Sequence, residues 1–254
     1  MADLAGRRAV ITGAGRGIGR ASALLLAGAG AAIFVVDEDG ALADETVSAI
    51  EAAGGRAIAC VADVAQLDAL ERLIEEAVQA LGGIDILVNA MSLPARGGTV
   101  LDHDEAEWEA VHAVNLRAPR VLIKLAAQRM VDQGTGGRIV SISSSSGSRA
   151  AGVKLAYGAS KAALNAVTRI AAAQLGKHDI NVNAVAPGIT KTPLQRSLRD
   201  ESTMARDVAS GTLENFFNRV SEPEDVAATV LFLCMPASRQ ITGQVIHTSA
   251  GVVV

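Results

Sequence analysis

The segment Ala9-Val10-Ile11-Thr12-Gly13-Ala14-Gly15-Arg16-Gly17-Ile18-Gly19 carries the strongest signal for the fold of this chain. It starts as an apolar β-type run, turns through closely spaced glycines and opens an Ala/Leu-rich helical segment at residues 17–29. Glycines at such a turn let the backbone approach a pyrophosphate, whose charge then lies at the positive end of the helix. A plain glycine-rich turn is the alternative, but the position between strand and helix favours a dinucleotide site.

An acidic residue ends the second apolar run. Asp37 follows Ile33-Phe34-Val35-Val36, where a carboxylate can accept hydrogen bonds from both adenosine ribose hydroxyls and would repel a 2′-phosphate. We therefore expect NAD(H) to be preferred over NADP(H). Arg16 is the one nearby base that would favour a phosphate, and Asp37 could also be a solvated loop acid, since Glu38 and Asp39 stand beside it.

Short apolar runs alternate with helical segments along the whole chain. Strands are predicted at residues 8–12, 31–36, 57–61, 84–89, 138–142, 180–185 and 245–247, and helices at 17–29, 40–53, 67–81, 106–130, 157–175 and 224–233. This alternation predicts an α/β fold, a doubly wound parallel sheet with helices on both faces. We expect one domain over residues 1–254, with a lid or substrate loop at about residues 190–218, where periodicity is weak.

Composition argues against several classes of protein. The formal net charge is −4 with no basic stripe, so nucleic acid is not an expected partner. We find no apolar run long enough to span a membrane and no signal peptide, and we therefore expect a soluble, cytoplasmic protein. Cys60 and Cys234 are far apart, with no metal-ligand spacing to any histidine, so buried free thiols and no metal site are predicted.

The candidate chemistry lies in the second half of the chain. Tyr157 is the only tyrosine, and Lys161 follows it at the i, i+4 spacing that shares one helix face. A nearby ammonium lowers the pKa of a phenol from about 10 toward working pH, which makes the phenol a usable acid/base. Ser144, in a serine run after an apolar strand, has a hydroxyl that could hold a substrate oxygen.

Together these motifs resemble the short-chain dehydrogenase/reductase family, classical type, over nearly the whole chain. Residues 12–19 are similar to its TGxxxGIG cofactor turn, Tyr157 and Lys161 to its YxxxK, and Ser144 to its substrate-orienting serine. Asn115 matches its fourth catalytic residue, whose backbone positions a water near the lysine. The resemblance implies a Rossmann-like fold and a cofactor site made of Gly13, Arg16, Gly17, Ile18, Gly19, Asp37, Asp63, Val64, Asn89, Tyr157, Lys161, Pro187, Gly188 and Thr192.

Two stretches depart from the family pattern. The usual NNAG reads Asn89-Ala90-Met91-Ser92, and we expect Ser92 to crowd the cofactor or shift the loop and so weaken binding. The usual VDGG near the C-terminus is replaced by His247-Thr248-Ser249-Ala250-Gly251. In this family that end commonly meets a neighbouring subunit, and the resemblance favours a homotetramer. His247 could reach a substrate pocket, although a structural role is the commoner one for such a residue.

The resemblance implies hydride transfer between NAD(H) and a secondary alcohol or ketone, a small-molecule substrate. Ser144 would fix the oxygen, Tyr157 would move the proton, Lys161 would hold the nicotinamide ribose, and Asn115 would link Lys161 to solvent. One alternative is an NADPH-dependent 3-oxoacyl carrier-protein reductase, against which Asp37 argues. The other is a non-catalytic NAD(H)-binding sensor, which would not need the complete set of catalytic residues.

Overall fold

The computed structural model describes residues 4–97, 99–150, 152–211 and 213–252. Over these residues the chain forms one seven-stranded sheet. Its strands are β1 (Arg8–Thr12), β2 (Ala32–Asp37), β3 (Arg56–Val61), β4 (Ile86–Asn89), β5 (Gly137–Ile142), β6 (Ile180–Pro187) and β7 (Val245–Thr248). They lie in the order β3-β2-β1-β4-β5-β6-β7, and every neighbouring pair is parallel.

Helices connect the strands. They are α1 (Gly17–Gly28), α2 (Gly40–Ala52), α3 (Leu67–Leu81), α4 (Glu105–His112), α5 (Ala118–Gln133), α6 (Leu155–Leu175), α7 (Pro193–Leu198), α8 (Glu201–Ala209) and α9 (Pro223–Cys234). The ends follow local chemistry: the Asp39 carboxylate caps α2 by accepting from the Ala41 and Leu42 N–H groups, and α3 stops at Gly82 in the left-handed conformation.

Both faces of the sheet are covered, which explains why its strands are apolar throughout. Val10 and Phe34 pack on one face with residues of α3, α5 and α6, whereas Ile11 and Ile33 pack on the other with residues of α1, α2 and α9. Successive side chains of a strand point to opposite faces, so a sheet buried on both sides needs continuous apolar runs. The predicted fold class, a doubly wound parallel sheet with helices on both faces, is confirmed.

Two predicted elements differ from the structure. The single helix expected at residues 106–130 is interrupted by a π-helical segment, Ala113–Arg117, between α4 and α5. The expected lid, residues 190–218, contains the short helices α7 and α8; Pro193 occupies the first turn of α7, a position that proline favours. In the described part of the chain no helix is both long and apolar enough to cross a membrane.

Candidate active site

The glycine turn joins β1 to α1 at the carboxyl edge of the sheet. Gly13 has a φ of +66°, and a β-carbon there would lie 2.9 Å from the Met91 nitrogen. A β-carbon on Gly19 would collide with the Gly13 carbonyl. Arg16, the N-cap residue of α1, provides no side-chain cap, so the first N–H groups of this helix can bind an anion.

Asp37 ends β2 beside the same turn and is buried. Its Oδ2 accepts a hydrogen bond from the Gly15 N–H at 2.9 Å, and its Oδ1 accepts one from the Asp39 N–H at 3.2 Å. The carboxylate is therefore held at the turn. Glu38, by contrast, is exposed, with one carboxylate oxygen 3.9 Å from the Arg16 guanidinium.

A cavity of about 520 Å³ runs along this edge of the sheet. Such a volume lies within the range of small-molecule and cofactor sites. Most of the cofactor residues predicted from sequence line it: Gly13, Arg16, Gly17, Ile18, Gly19, Asp37, Asp63, Val64, Tyr157, Pro187, Gly188 and Thr192. Asn89 and Lys161 do not line the cavity, although both are buried beside it.

Asn89 and Thr192 have clear structural partners. Asn89 Nδ2 donates to Ser141 Oγ at 3.3 Å, which ties the end of β4 to β5. Thr192 caps α7 by accepting from the Gln195 N–H at 3.2 Å, and a β-carbon on Gly17 would lie 3.2 Å from Thr192 Cγ2. The start of the predicted lid therefore lies against the glycine turn.

Ser144 and Tyr157 line the cavity and come from different elements. Ser144 follows β5, and its Oγ accepts from the Ser146 N–H at 3.1 Å, which fixes the hydroxyl. Tyr157 comes from the first turns of α6 and also lines the cavity. Both residues predicted from sequence to act on the substrate oxygen therefore line one cavity.

The ionisation of Tyr157 differs from our expectation. We predicted that Lys161 would lower the pKa of the phenol, but burial raises the pKa of Tyr157 above its ordinary value. The hydroxyls of Ser92 and Ser144 oppose this rise. Burial prevails because removing the phenolate from water disfavours the charged form more than the two hydroxyls favour it.

Lys161 lies one helical turn after Tyr157 and is almost fully buried. Its Nζ donates to the Ile142 carbonyl at 2.9 Å and lies 5.6 Å from the centre of the Tyr157 ring. Burial lowers the pKa of Lys161 from 10.5 to about 7. Its charge is therefore easily changed near neutral pH, which suits a proton relay.

Asn115 lies in the π-helical segment and is fully buried. Its Oδ1 accepts from the Leu93 N–H at 2.8 Å, and its Nδ2 donates to the Leu93 carbonyl at 2.9 Å. The same Nδ2 is 3.2 Å from Ser160 Oγ, which in turn donates to the Tyr157 carbonyl at 2.7 Å. The sequence predicted a role for Asn115 through its backbone. It did not predict that the Asn115 side chain would connect the loop after β4, residues 90–93, to α6.

Other residues in the cavity were not predicted as site residues. Leu93, Val153, Leu194 and Leu213 give part of the lining an apolar character. Ser92 lines the cavity together with Tyr157, and the only sequence signal for it was the departure from the family loop. Cavity residues therefore come from the 91–96 loop, the segment before α6 and the lid.

His247 and the cysteines lie outside this arrangement. His247 is absent from the residues that line the cavity, and burial lowers its pKa. Cys234 is buried as predicted, but Cys60 is only partly so; both are free thiols. Across the described ranges, no group of three or more His, Cys, Asp or Glu residues is placed to hold a metal ion.

Known proteins are similar to this chain in sequence and in fold. The profile of a family described as Enoyl-(Acyl carrier protein) reductase matches residues 13–253. A short-chain dehydrogenase/reductase from Armillaria gallica is 37% identical over 98% of this chain and 96% of its own length. The chain therefore belongs to the short-chain dehydrogenase/reductase family, a family of oxidoreductases that bind a nicotinamide cofactor.

Two further relatives are similar over nearly their full length. The 3-oxoacyl-[acyl-carrier-protein] reductase of Thermotoga maritima is 34% identical over 99% of both chains. A solved 7α-hydroxysteroid dehydrogenase, complexed with NADH and 7-oxo glycochenodeoxycholic acid, has a TM-score of 0.90 at 33% identity, covering 98% of this chain and 95% of that one. Their substrates differ although their fold does not.

Proposed function

We propose that this protein is an NAD(H)-dependent dehydrogenase/carbonyl reductase that interconverts a secondary alcohol and its ketone. The observation that carries the proposal is that Ser144 and Tyr157 line one cavity with the glycine turn and Asp37. The turn fits a dinucleotide, because Gly13 and Gly19 leave backbone space that a side chain would fill. The bound nicotinamide supplies the hydride chemistry.

Ser144, Tyr157 and Lys161 have separate roles in the proposed reaction. Ser144 accepts or donates a hydrogen bond at the substrate oxygen and so fixes its position. Tyr157 takes the alcohol proton during oxidation and returns it to the carbonyl oxygen during reduction. Lys161, whose pKa lies at about 7, favours the phenolate when it is charged and exchanges its proton when it is not.

The preference for NAD(H) rests on Asp37. This carboxylate is buried at the end of β2 and lines the cavity beside the glycine turn. It can accept hydrogen bonds from ribose hydroxyls, and it would repel the charge of a 2′-phosphate. The cytoplasmic location and the homotetrameric assembly are further proposals, which rest on composition and on the family resemblance respectively.

A second candidate is an NADPH-dependent 3-oxoacyl carrier-protein reductase. It is favoured by the 34% identity with the Thermotoga maritima enzyme, which extends over 99% of both chains. The two functions use the same Ser144 and Tyr157, so the nicotinamide nucleotide and the substrate distinguish them. Preference for NADPH together with reduction of a 3-oxoacyl thioester would favour this second candidate.

The decisive experiment compares binding with turnover. Purified protein is titrated with NADH and NADPH by cofactor fluorescence, and a panel of secondary alcohols, ketones and 3-oxoacyl thioesters is then assayed with the tighter-binding nucleotide. We expect tighter binding of NADH, with turnover that falls by about a thousandfold or more in Tyr157→Phe. The Tyr157→Phe variant should bind NADH nearly as well as wild type, because it loses only a hydroxyl.

Three outcomes would count against the proposal. Loss of NADH binding in Tyr157→Phe would assign that residue to cofactor binding instead of proton transfer. Tighter binding of NADPH would overturn the argument from Asp37. Binding of NADH without turnover of any substrate in the panel would favour a protein that senses the nucleotide.

A further inference from the structure

Ser92 is the residue at which the cavity departs most clearly from the sequence expectation. We predicted that it would crowd the cofactor or shift the loop; the structure places it in the cavity beside Tyr157 and Ser144, where both hydroxyls oppose the rise that burial causes in the pKa of Tyr157. All three residues line the same cavity. A serine hydroxyl both donates and accepts, so it can serve the phenol in either of its protonation states.

The hydroxyl of Ser92 has no other hydrogen-bond partner within the described residues. Its Oγ is buried and completes no hydrogen bond of good geometry there. A buried hydroxyl without a partner costs free energy, and such an atom in a cavity calls for an explanation. Catalytic hydrogen bonds are often long before the substrate binds and tighten in the reacting complex.

The loop that carries Ser92 is held in place from two sides. Ahead of it, the Ala90 N–H donates to the Thr12 carbonyl and hydroxyl, each at 3.2 Å. After it, the Asn115 side chain pairs with both backbone groups of Leu93. Ser92 therefore has a fixed position relative to Tyr157, as a residue that takes part in proton transfer requires.

We propose that Ser92 is a second hydroxyl partner of the Tyr157 oxygen, which it shares with Ser144 and whose phenolate form it stabilises by donating a hydrogen bond. During alcohol oxidation the substrate proton moves to the Tyr157 oxygen, and Ser92 keeps its own proton throughout. This role rests on the proposed function for its use in catalysis. The proposed hydrogen bond between the two side chains does not depend on turnover and can be tested by itself.

Because Tyr157 is the only tyrosine in the chain, its ionisation can be observed directly. The ultraviolet absorbance of tyrosinate is followed against pH in the full-length protein, with Tyr157→Phe as the blank and circular dichroism defining the range in which the protein is folded. We expect Ser92→Ala to raise the midpoint by about half to one pH unit. Ser92→Thr keeps the hydroxyl, so its midpoint should stay close to that of wild type.

Ser148→Ala is the matched control, since Ser148 is an exposed serine that does not line the cavity, and its midpoint should equal that of wild type. The pH profile of kcat/KM for alcohol oxidation is the second readout. In Ser92→Ala the rise of kcat/KM with pH, which follows deprotonation of the catalytic base, should move to higher pH. If folded Ser92→Ala shows the same tyrosinate midpoint and the same rise of kcat/KM with pH as wild type, the inference is overturned and the proposed function is left intact. A shifted midpoint in a protein without turnover would defeat the proposed function alone.

Discussion

The ammonium nitrogen of Lys161 lies 5.6 Å from the centre of the Tyr157 ring. Lys161 is almost fully buried, and its Nζ donates to the Ile142 carbonyl. Burying an ammonium disfavours its charged form, and the pKa of Lys161 falls to about 7. The cost of that burial should be measurable as a dependence of stability on pH.

Lys161→Met removes this titration. In wild type the pKa rises on unfolding from about 7 to 10.5, so between these values the unfolded chain binds a proton that the folded chain lacks. The free energy of unfolding of wild type should therefore rise with pH across this window, by up to about 1.4 kcal/mol per pH unit relative to Lys161→Met. Below pH 7 both states carry the proton, and the difference between the two proteins should be constant.

Urea unfolding at a series of pH values measures this difference. Lys177→Met, which removes an exposed lysine, is the control and should differ little from wild type at any pH. A difference between wild type and Lys161→Met that does not change across the window would contradict the lowered pKa of Lys161.

Asp37→Asn should reduce the preference for NADH. The amide keeps the side-chain shape but loses the charge that strengthens hydrogen bonds to the ribose hydroxyls and repels a phosphate. We expect affinity for NADH to fall about tenfold, with a smaller change or a gain for NADPH, in cofactor-fluorescence titrations. Glu38→Gln is the matched control, because this neighbouring carboxylate is exposed; an equal effect of both substitutions would argue against a specific role for Asp37.

Asn115→Ala should lower both stability and turnover. It removes the two hydrogen bonds that the fully buried Asn115 side chain makes to the Leu93 N–H and carbonyl, so the free energy of unfolding should drop by about 1–3 kcal/mol. Turnover should fall as well, since the 90–93 loop loses its connection to α6. Urea unfolding and steady-state kinetics measure the two effects. Gln128→Ala, at an exposed position of α5, should change neither; unaltered stability in Asn115→Ala would be inconsistent with this connection.

Asp85→Asn should affect stability without affecting chemistry. The buried Asp85 carboxylate accepts from Arg8 Nε at 2.7 Å and Arg8 Nη2 at 2.9 Å, remote from the cavity. Burial would raise the pKa of Asp85, but the pairing with Arg8 prevails and lowers it. At neutral pH the substitution should cost about 2–4 kcal/mol of unfolding free energy and leave kcat nearly unchanged.

The pH dependence of this cost follows from the sign of the shift. A lowered pKa stabilises the folded protein above the ordinary value of 3.8, and this contribution is lost as the pH falls through the folded value. The difference between wild type and Asp85→Asn should therefore shrink in acid. Chemical denaturation at acidic and neutral pH tests this, and an equal difference at both would count against the lowered pKa.

Much of the fold could be predicted because its determinants are local. The strand β1 was predicted with the bounds that the structure has, and the glycine turn was predicted with its neighbouring helix. The π-helical segment at Ala113–Arg117 was missed, although Pro119, in the first turn of α5, lacks the N–H that would bond the Asn115 carbonyl and is a signal for an interruption of the predicted helix. Helix α7 was also missed, although Thr192 and Pro193 form a recognisable start.

The candidate site was harder to predict where its contacts are distant in sequence. Ser92 was noticed as a departure, but the loop that carries it is held by the pairing of Leu93 with Asn115, which a sequence pattern does not reveal. The pKa of Tyr157 was predicted in the wrong direction, because the i, i+4 spacing to Lys161 gives proximity but not the extent of burial. Non-local packing decided both.

The strand order also indicates which part of the sheet can form first during synthesis. The four strands that end at Asn89 are adjacent in the sheet, as β3-β2-β1-β4, so the first third of the chain contains a contiguous half of it. Chains fold from the N-terminal end as they are synthesised. The part of the sheet that carries the glycine turn can therefore form while the ribosome is still translating α6, and β5, β6 and β7 then extend it from the edge of β4.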